Sequence, residues 1–106
     1  MPKYLVTASY TAEGARGLLK DGGSKRREAA EQALKTAGGT MESFYFSFGD
    51  ADAIIIVDAP DHATVAAASL TISASGAVHT KTTVLLTPEE LDQAAKKTVK
   101  YRAPGH

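Results

Sequence analysis

Residues 40–61, TMESFYFSFGDADAIIIVDAPD, predict a β-hairpin that leads the chain into a helix. Two apolar runs flank a Gly-Asp turn, and the pair Pro60-Asp61 ends the second run, where the aspartate can cap the following helix. The stretch 54–57 is apolar at every position. Such a run is typical of an interior strand that is covered on both faces of a sheet.

The rest of the chain completes a β-α-β-β-α-β order with an additional C-terminal helix. We predict strands over residues 3–10, 41–48, 53–59 and 77–86, and helices over residues 12–20, 25–37 and 62–75. Thr87-Pro88-Glu89-Glu90 forms a capping box that opens the last helix. This order predicts an α+β, ferredoxin-like domain: a four-stranded antiparallel sheet with both crossover helices on one face. We expect that domain over residues 1–97, followed by a polar tail over residues 98–106.

The apolar character of both strand faces predicts self-association. Helices would cover only one face of the sheet, and the bare face would expose an apolar patch on the order of several hundred Å². A second copy is the simplest cover. Two such sheets packed face to face form a dimeric α/β barrel, so we expect a homodimer or a larger homo-oligomer.

Composition excludes several classes of partner. Of 106 residues, twelve are basic and twelve acidic, so the net charge is zero and no overall field attracts nucleic acid or anionic lipid. No apolar run approaches the roughly 20 residues of a membrane helix. An RNA-recognition module shares the element order, but it needs stacking aromatics that the third strand lacks. The absence of cysteine and an N-terminus too short and polar for a signal peptide favour a cytoplasmic location.

Three stretches resemble the GYD-domain family: YTAEGARGLLKDGGSKRREA (10–29), GGTMESFYFSFGDADAIIIVDAPD (38–61) and SGAVHTKTTVLLTPEELDQA (75–94). The resemblance covers roughly residues 3–97 and rests on many small motifs rather than one catalytic signature. It implies a dimeric α/β barrel whose function is largely unassigned. Two positions depart from the family pattern. Ala51 stands where the naming motif has tyrosine, with Gly49 and Asp52 retained, and His79 stands where the family often carries arginine.

His79 is the candidate catalytic residue, because a histidine on a strand that faces a cavity can move a proton near neutral pH. Lys81 has the same orientation on that strand. Strand parity places Thr7 and Ser9 on the same face as this pair if the first and fourth strands pair in the expected register. The four would bind an anionic or carbonyl group of a small organic ligand, and we expect His79 and Lys81 to line a concave site. The alternative is that both are solvated strand residues.

Three further residues are candidates for ligand binding. Tyr4 and Tyr10 share a face of the first strand, and their hydroxyls could orient a ligand, although such residues are more often part of a core. Asp52 follows the hairpin turn, where aspartate is common for turn chemistry alone. The segment 22–26 places glycines and basic residues at a helix start, where an anion can sit, but it lacks a full phosphate loop and fits a helix break better. No metal-binding motif is present, and the sequence implies no cofactor.

Two functions follow from these observations. The first is a small-molecule-binding barrel that acts as a cofactor-independent enzyme on a small organic anion or carbonyl compound, an analogy made at the level of fold. The second is a non-catalytic oligomeric module that binds an effector or another protein. The sequence leaves open whether the protein is an enzyme.

Overall fold

A computed structural model describes all of residues 1–106. Its elements in chain order are β1 (Lys3–Tyr10), α1 (Ala12–Asp21), α2 (Gly23–Ala37), β2 (Thr40–Phe46), β3 (Ala53–Asp58), α3 (His62–Ala74), β4 (Val78–Leu85) and α4 (Pro88–Lys96). The strands form one antiparallel sheet in the order β2-β3-β1-β4, so β1 and β3 are central. The α+β, ferredoxin-like prediction is therefore confirmed. The domain boundary at residue 97 stays a prediction.

Alternation along the two central strands positions the core. Ala53, Ile55 and Val57 are buried under the helices, whereas Ile54 and Ile56 lie on the other face of β3. Tyr4 and Ala8 of β1 extend the buried set. The core is completed by side chains from α2, α3 and β4: Leu34, Val65, Ala68 and Val78. The layer between the sheet and helices α2 and α3 is thus the only packed core, and the opposite face of the sheet stays uncovered by this chain.

The junction of α1 and α2 differs from the predicted boundaries. Gly22, at φ 85°, both ends α1 and precedes the first residue of α2, so α2 begins at Gly23 rather than at the predicted residue 25. The positive φ lets the chain reverse there, and only glycine adopts it easily. Leu19 of α1 is apolar but lies on the solvent side of the helix, since it is 87% exposed. The half-buried stripe of α1 runs instead through Gly14 and Leu18, one helical turn apart.

A bulge shapes the edge strand β2. Met41 lies opposite Val57, but Ser43 lies opposite Ile56, which leaves Glu42 as the extra residue. The shift lets both Met41 and Phe44 pack against the core. It therefore keeps Met41 and Phe44 on the same, helix-covered face on either side of the bulge.

Helix α4 and the residues around it form what we call the C-terminal arm, residues 86–106. The predicted capping box is confirmed: the Thr87 N–H donates to Glu90 Oε1 at 3.0 Å, and the Glu90 N–H donates to Thr87 Oγ1 at 3.1 Å. Helix α4 has no buried residue and packs substantially against no other element. The radius of gyration is 17.0 Å, whereas a compact domain of this length has about 13 Å. The arm therefore extends away from the body.

We predict that Gly14→Ala destabilises the protein by about 1–3 kcal/mol despite the higher helix propensity of alanine. A Cβ atom at residue 14 would lie 2.0 Å from the backbone oxygen of Ala77. That oxygen is fixed because it accepts the Thr11 N–H at 3.0 Å. The matched control is Gly17→Ala, where nothing lies within 4 Å, and this change should stabilise by about 0.5–1 kcal/mol. Urea unfolding measures both, and equal stability of the two variants would contradict the close approach.

Candidate functional site

The four residues of the predicted polar site lie on one face of the sheet. Thr7 is paired with Lys81, and Ser9 with His79, which is the register that the grouping requires. This face points away from the helices, and we call it the open face. His79 and Lys81 are exposed there, and the main cavities are lined by other residues. None of the main cavities of the single chain is formed by His79 or Lys81, and a role of the four residues in ligand binding stays a prediction.

The centre of the open face is apolar. Ile54 is 38% exposed and Tyr45 is 70% exposed, with Leu5 and Ile56 half-buried beside them. At one end of the face, Lys3 Nζ lies 2.9 Å from Asp58 Oδ1 and 3.2 Å from Glu42 Oε1. Polar side chains therefore border an apolar centre, as in surfaces that bind other proteins.

The ion cluster on the open face is consistent with strand-end charges rather than a catalytic carboxylate pair. Two hydrogen bonds of the Lys3 ammonium raise its pKa above the ordinary value. The bond to Asp58 has the larger effect, and the bond to Glu42 the next largest. Both carboxylates are therefore occupied by one cation. No group of three or more histidine, aspartate or glutamate side chains is arranged to hold a metal ion, and none of the helices combines the length and apolarity needed to cross a bilayer.

Tyr4 and Tyr10 share the helix-covered face, as predicted, but differ in environment. Tyr4 is 1% exposed and lines none of the main cavities, so its position is that of a core residue. Its hydroxyl lies 2.7 Å from His62 Nδ1, and the two rings meet edge to face. Tyr10 lines three cavities and is the predicted ligand-binding residue with the best access to one.

Asp52 has a structural contact that accounts for its position. Its Oδ2 accepts the Tyr10 N–H at 2.8 Å, and its own N–H donates to the Ala8 carbonyl at 2.8 Å. The residue thereby extends the pairing of β1 and β3 beyond Ala53, where the ladder ends. The carboxylate is engaged by the backbone of β1 rather than by the hairpin turn. A ligand contact of Asp52 stays a prediction.

An apolar cavity of about 50 Å³ lies inside the helix-covered layer. Its walls come from all four strands and from α2 and α3, and include Val6, Phe44, Ile55 and Ile72. Arg26 lines the cavity beside these apolar groups, and its Nε is buried without a hydrogen-bond partner. The guanidinium carbon lies 5.9 Å from the centre of the Tyr10 ring, within reach of a cation–π contact.

Arg26 also lines a second, more open cavity of about 300 Å³. The other charged residues around this outer cavity are Glu13, Asp21 and Lys25. The charge of Arg26 alone would favour the solvated face of α2, but the residue is half-buried. The spacing Arg26, Ala30, Leu34 is i, i+4, i+8, and that row would have indicated the inner face.

Comparison with known proteins gives two matches. The GYD domain model matches residues 4–95. A protein of Thermus thermophilus, named "Glutamine synthetase and cystathionine beta-lyase binding protein", is 32% identical over 82 residues. The match covers 77% of this chain and 85% of that protein. No solved structure matches significantly.

We predict that Tyr4→Phe destabilises the protein by about 1 kcal/mol, because phenylalanine lacks the hydroxyl that forms the hydrogen bond with His62. Tyr101→Phe is the matched control, since Tyr101 is 77% exposed on the arm, and it should change stability by less than about 0.5 kcal/mol. Chemical denaturation of both variants checks this. A Tyr4→Phe variant as stable as the control would mean that the hydrogen bond contributes nothing.

Proposed function

This chain belongs to the GYD-domain family, and we propose that it is a non-catalytic protein-interaction module that forms a homo-oligomer. The Thermus relative is named for the proteins it binds rather than for a reaction. The exposed positions of His79 and Lys81 also favour the interaction module over the enzyme. A cytoplasmic location, which the absence of cysteine favours, belongs to the same proposal.

The observation on which the proposal mainly depends is the C-terminal arm. Isolated helices shorter than about 12–15 residues are marginal in water, and α4 has nine residues. Its capping box helps the helix to form, yet none of its side chains is buried. Large apolar side chains along the arm are exposed: Leu86, Leu91, Val99 and Tyr101. A short helix with this surface gains stability when another protein covers it, and we assign the arm to the partner protein.

The open face is assigned to a second copy of the chain. Its apolar centre of Leu5, Ile54 and Ile56 belongs to the two central strands, so a partner sheet can cover it without disturbing the helices. In the assembly, Thr7, Ser9, His79 and Lys81 would line the space between two sheets. Ligand binding by these four residues is therefore proposed only for the assembled protein, and the single chain is not expected to show it.

We predict that the full chain binds glutamine synthetase or cystathionine β-lyase of its own organism, by analogy with the relative, and that removal of residues 87–106 weakens binding at least about tenfold. Biolayer interferometry measures the affinity. Circular dichroism should show that the truncated body stays folded, because the arm buries no side chain. Binding that survives truncation would remove the arm from the interface, and the absence of binding to either enzyme would contradict these partners.

We predict that Ile54→Lys dissociates the homo-oligomer toward the 11.1 kDa monomer, because a charge in a desolvated interface is costly. Leu19→Lys is the matched control: Leu19 is 87% exposed, but it lies on α1 away from the open face. Light scattering at micromolar concentration gives the mass of each species. A monomeric wild type, or equal dissociation by both variants, would contradict assembly through the open face.

A further inference from the structure

The Arg26 side chain is unusual because a polar atom is buried and unpaired. Its Nε is the one buried side-chain nitrogen or oxygen that has no hydrogen-bond partner. Leaving a buried donor unsatisfied costs on the order of 1–3 kcal/mol, more for a charged group, so natural proteins rarely keep one without a reason. Arg26 lines both the inner and the outer cavity, so an acceptor on a ligand bound there could approach its guanidinium.

No carboxylate of the chain neutralises this guanidinium. The ion pairs of the protein are both made by Lys3, on the opposite side of the sheet. Glu13 and Asp21 line the outer cavity together with Arg26 but form no ion pair with it. The guanidinium carbon lies 5.9 Å from the centre of the Tyr10 ring, and its buried Nε has no acceptor within the chain.

The two cavities that meet at Arg26 differ in character. The inner one, about 50 Å³, is walled mainly by hydrophobic side chains, with Ser69 and Thr80 as minor polar contributions. The outer one, about 300 Å³, is open and carries charges of both signs. A water-sized group needs about 10–15 Å³ of such space. The inner cavity thus accepts an apolar group of only a few carbon atoms, and the outer cavity accepts a polar head.

We propose that Arg26 binds the carboxylate of a small monocarboxylate ligand, with a short branched or linear apolar tail of about four to six carbon atoms in the inner cavity. A guanidinium presents parallel N–H donors that match a carboxylate. A single negative charge fits better than a phosphate dianion, because Glu13 and Asp21 stand beside the head-group position. The site lies on the opposite side of the sheet from the open face and does not rest on the proposed protein-binding function.

The test is a titration of the full-length ¹⁵N-labelled protein with 4-methylpentanoate, followed by NMR. The neutral isostere 4-methylpentanamide removes only the charge, and inorganic phosphate supplies an anion without a tail. Arg26→Met removes the guanidinium and keeps the length of the side chain. Lys25→Met is the matched control, since Lys25 lines the outer cavity but not the inner one.

We expect saturable binding of 4-methylpentanoate with a dissociation constant of about 1 mM or tighter, and shifts at Ala30, Ser69 and Ile72, which line the inner cavity. The amide, phosphate and the Arg26→Met variant should each weaken binding at least about tenfold, because the charge-assisted hydrogen bonds or the tail contacts are lost. Lys25→Met should bind within about twofold of the wild type, since it removes no group from the inner cavity.

Several outcomes would overturn the proposal. They are the absence of saturable binding, equal binding of the amide, tighter binding of phosphate, equal affinity of Arg26→Met, or shifts confined to the open face around His79. If Arg26→Met fails to fold, the comparison of the acid with its amide on the wild-type protein decides. A negative result of the 4-methylpentanoate titration would not contradict the binding of protein partners by the arm. That binding is measured separately, by comparing the full chain with the truncated chain.

Discussion

The pairing of β3 between β1 and β2 is the constraint on which the rest of the structure depends. Its backbone is hydrogen-bonded on both sides, so each successive side chain must point to opposite faces. Ala53, Ile55 and Val57 close the core, and Ile54 and Ile56 are forced onto the open face. The same run of five apolar residues, 53–57, thus supplies the interior of the domain and an exposed apolar surface. A slip of the register by one residue would exchange the two sets between the faces.

The sequence was most informative where a local physical rule acts alone. The capping box of Thr87 and Glu90 and the shared face of Thr7, Ser9, His79 and Lys81 were both predictable, because they depend on spacing and strand parity. Leu19 and Arg26 do not follow residue type in this way, since Leu19 is apolar but exposed and Arg26 is charged but half-buried. An arginine can bury its long stem and still keep its charge near solvent, so charge alone does not indicate the exposed side. Whether the open face forms a cavity was not predictable either. The alternation of side chains along a strand determines which face a residue occupies, but not what covers that face.

The two faces of the sheet therefore have distinct physical characters. The helix-covered face encloses a small cavity with one unpaired guanidinium, whereas the open face carries an apolar centre and a closed ion cluster around Lys3. A ligand on the first face and a protein on the second would be separated by a single sheet.

The bulge at Glu42 affects whether a further strand can be added to the edge of the sheet. A sheet edge with unpaired backbone groups can recruit a further strand, and a bulge is one of the devices that prevent this. Edge strand β2 carries such a bulge, whereas edge strand β4 pairs with β1 in an unbroken register. Only one edge of each chain is therefore regular enough to accept a neighbour. Two such edges can meet around a twofold axis, after which no regular edge is left, so edge pairing ends in a closed pair and cannot propagate into a filament.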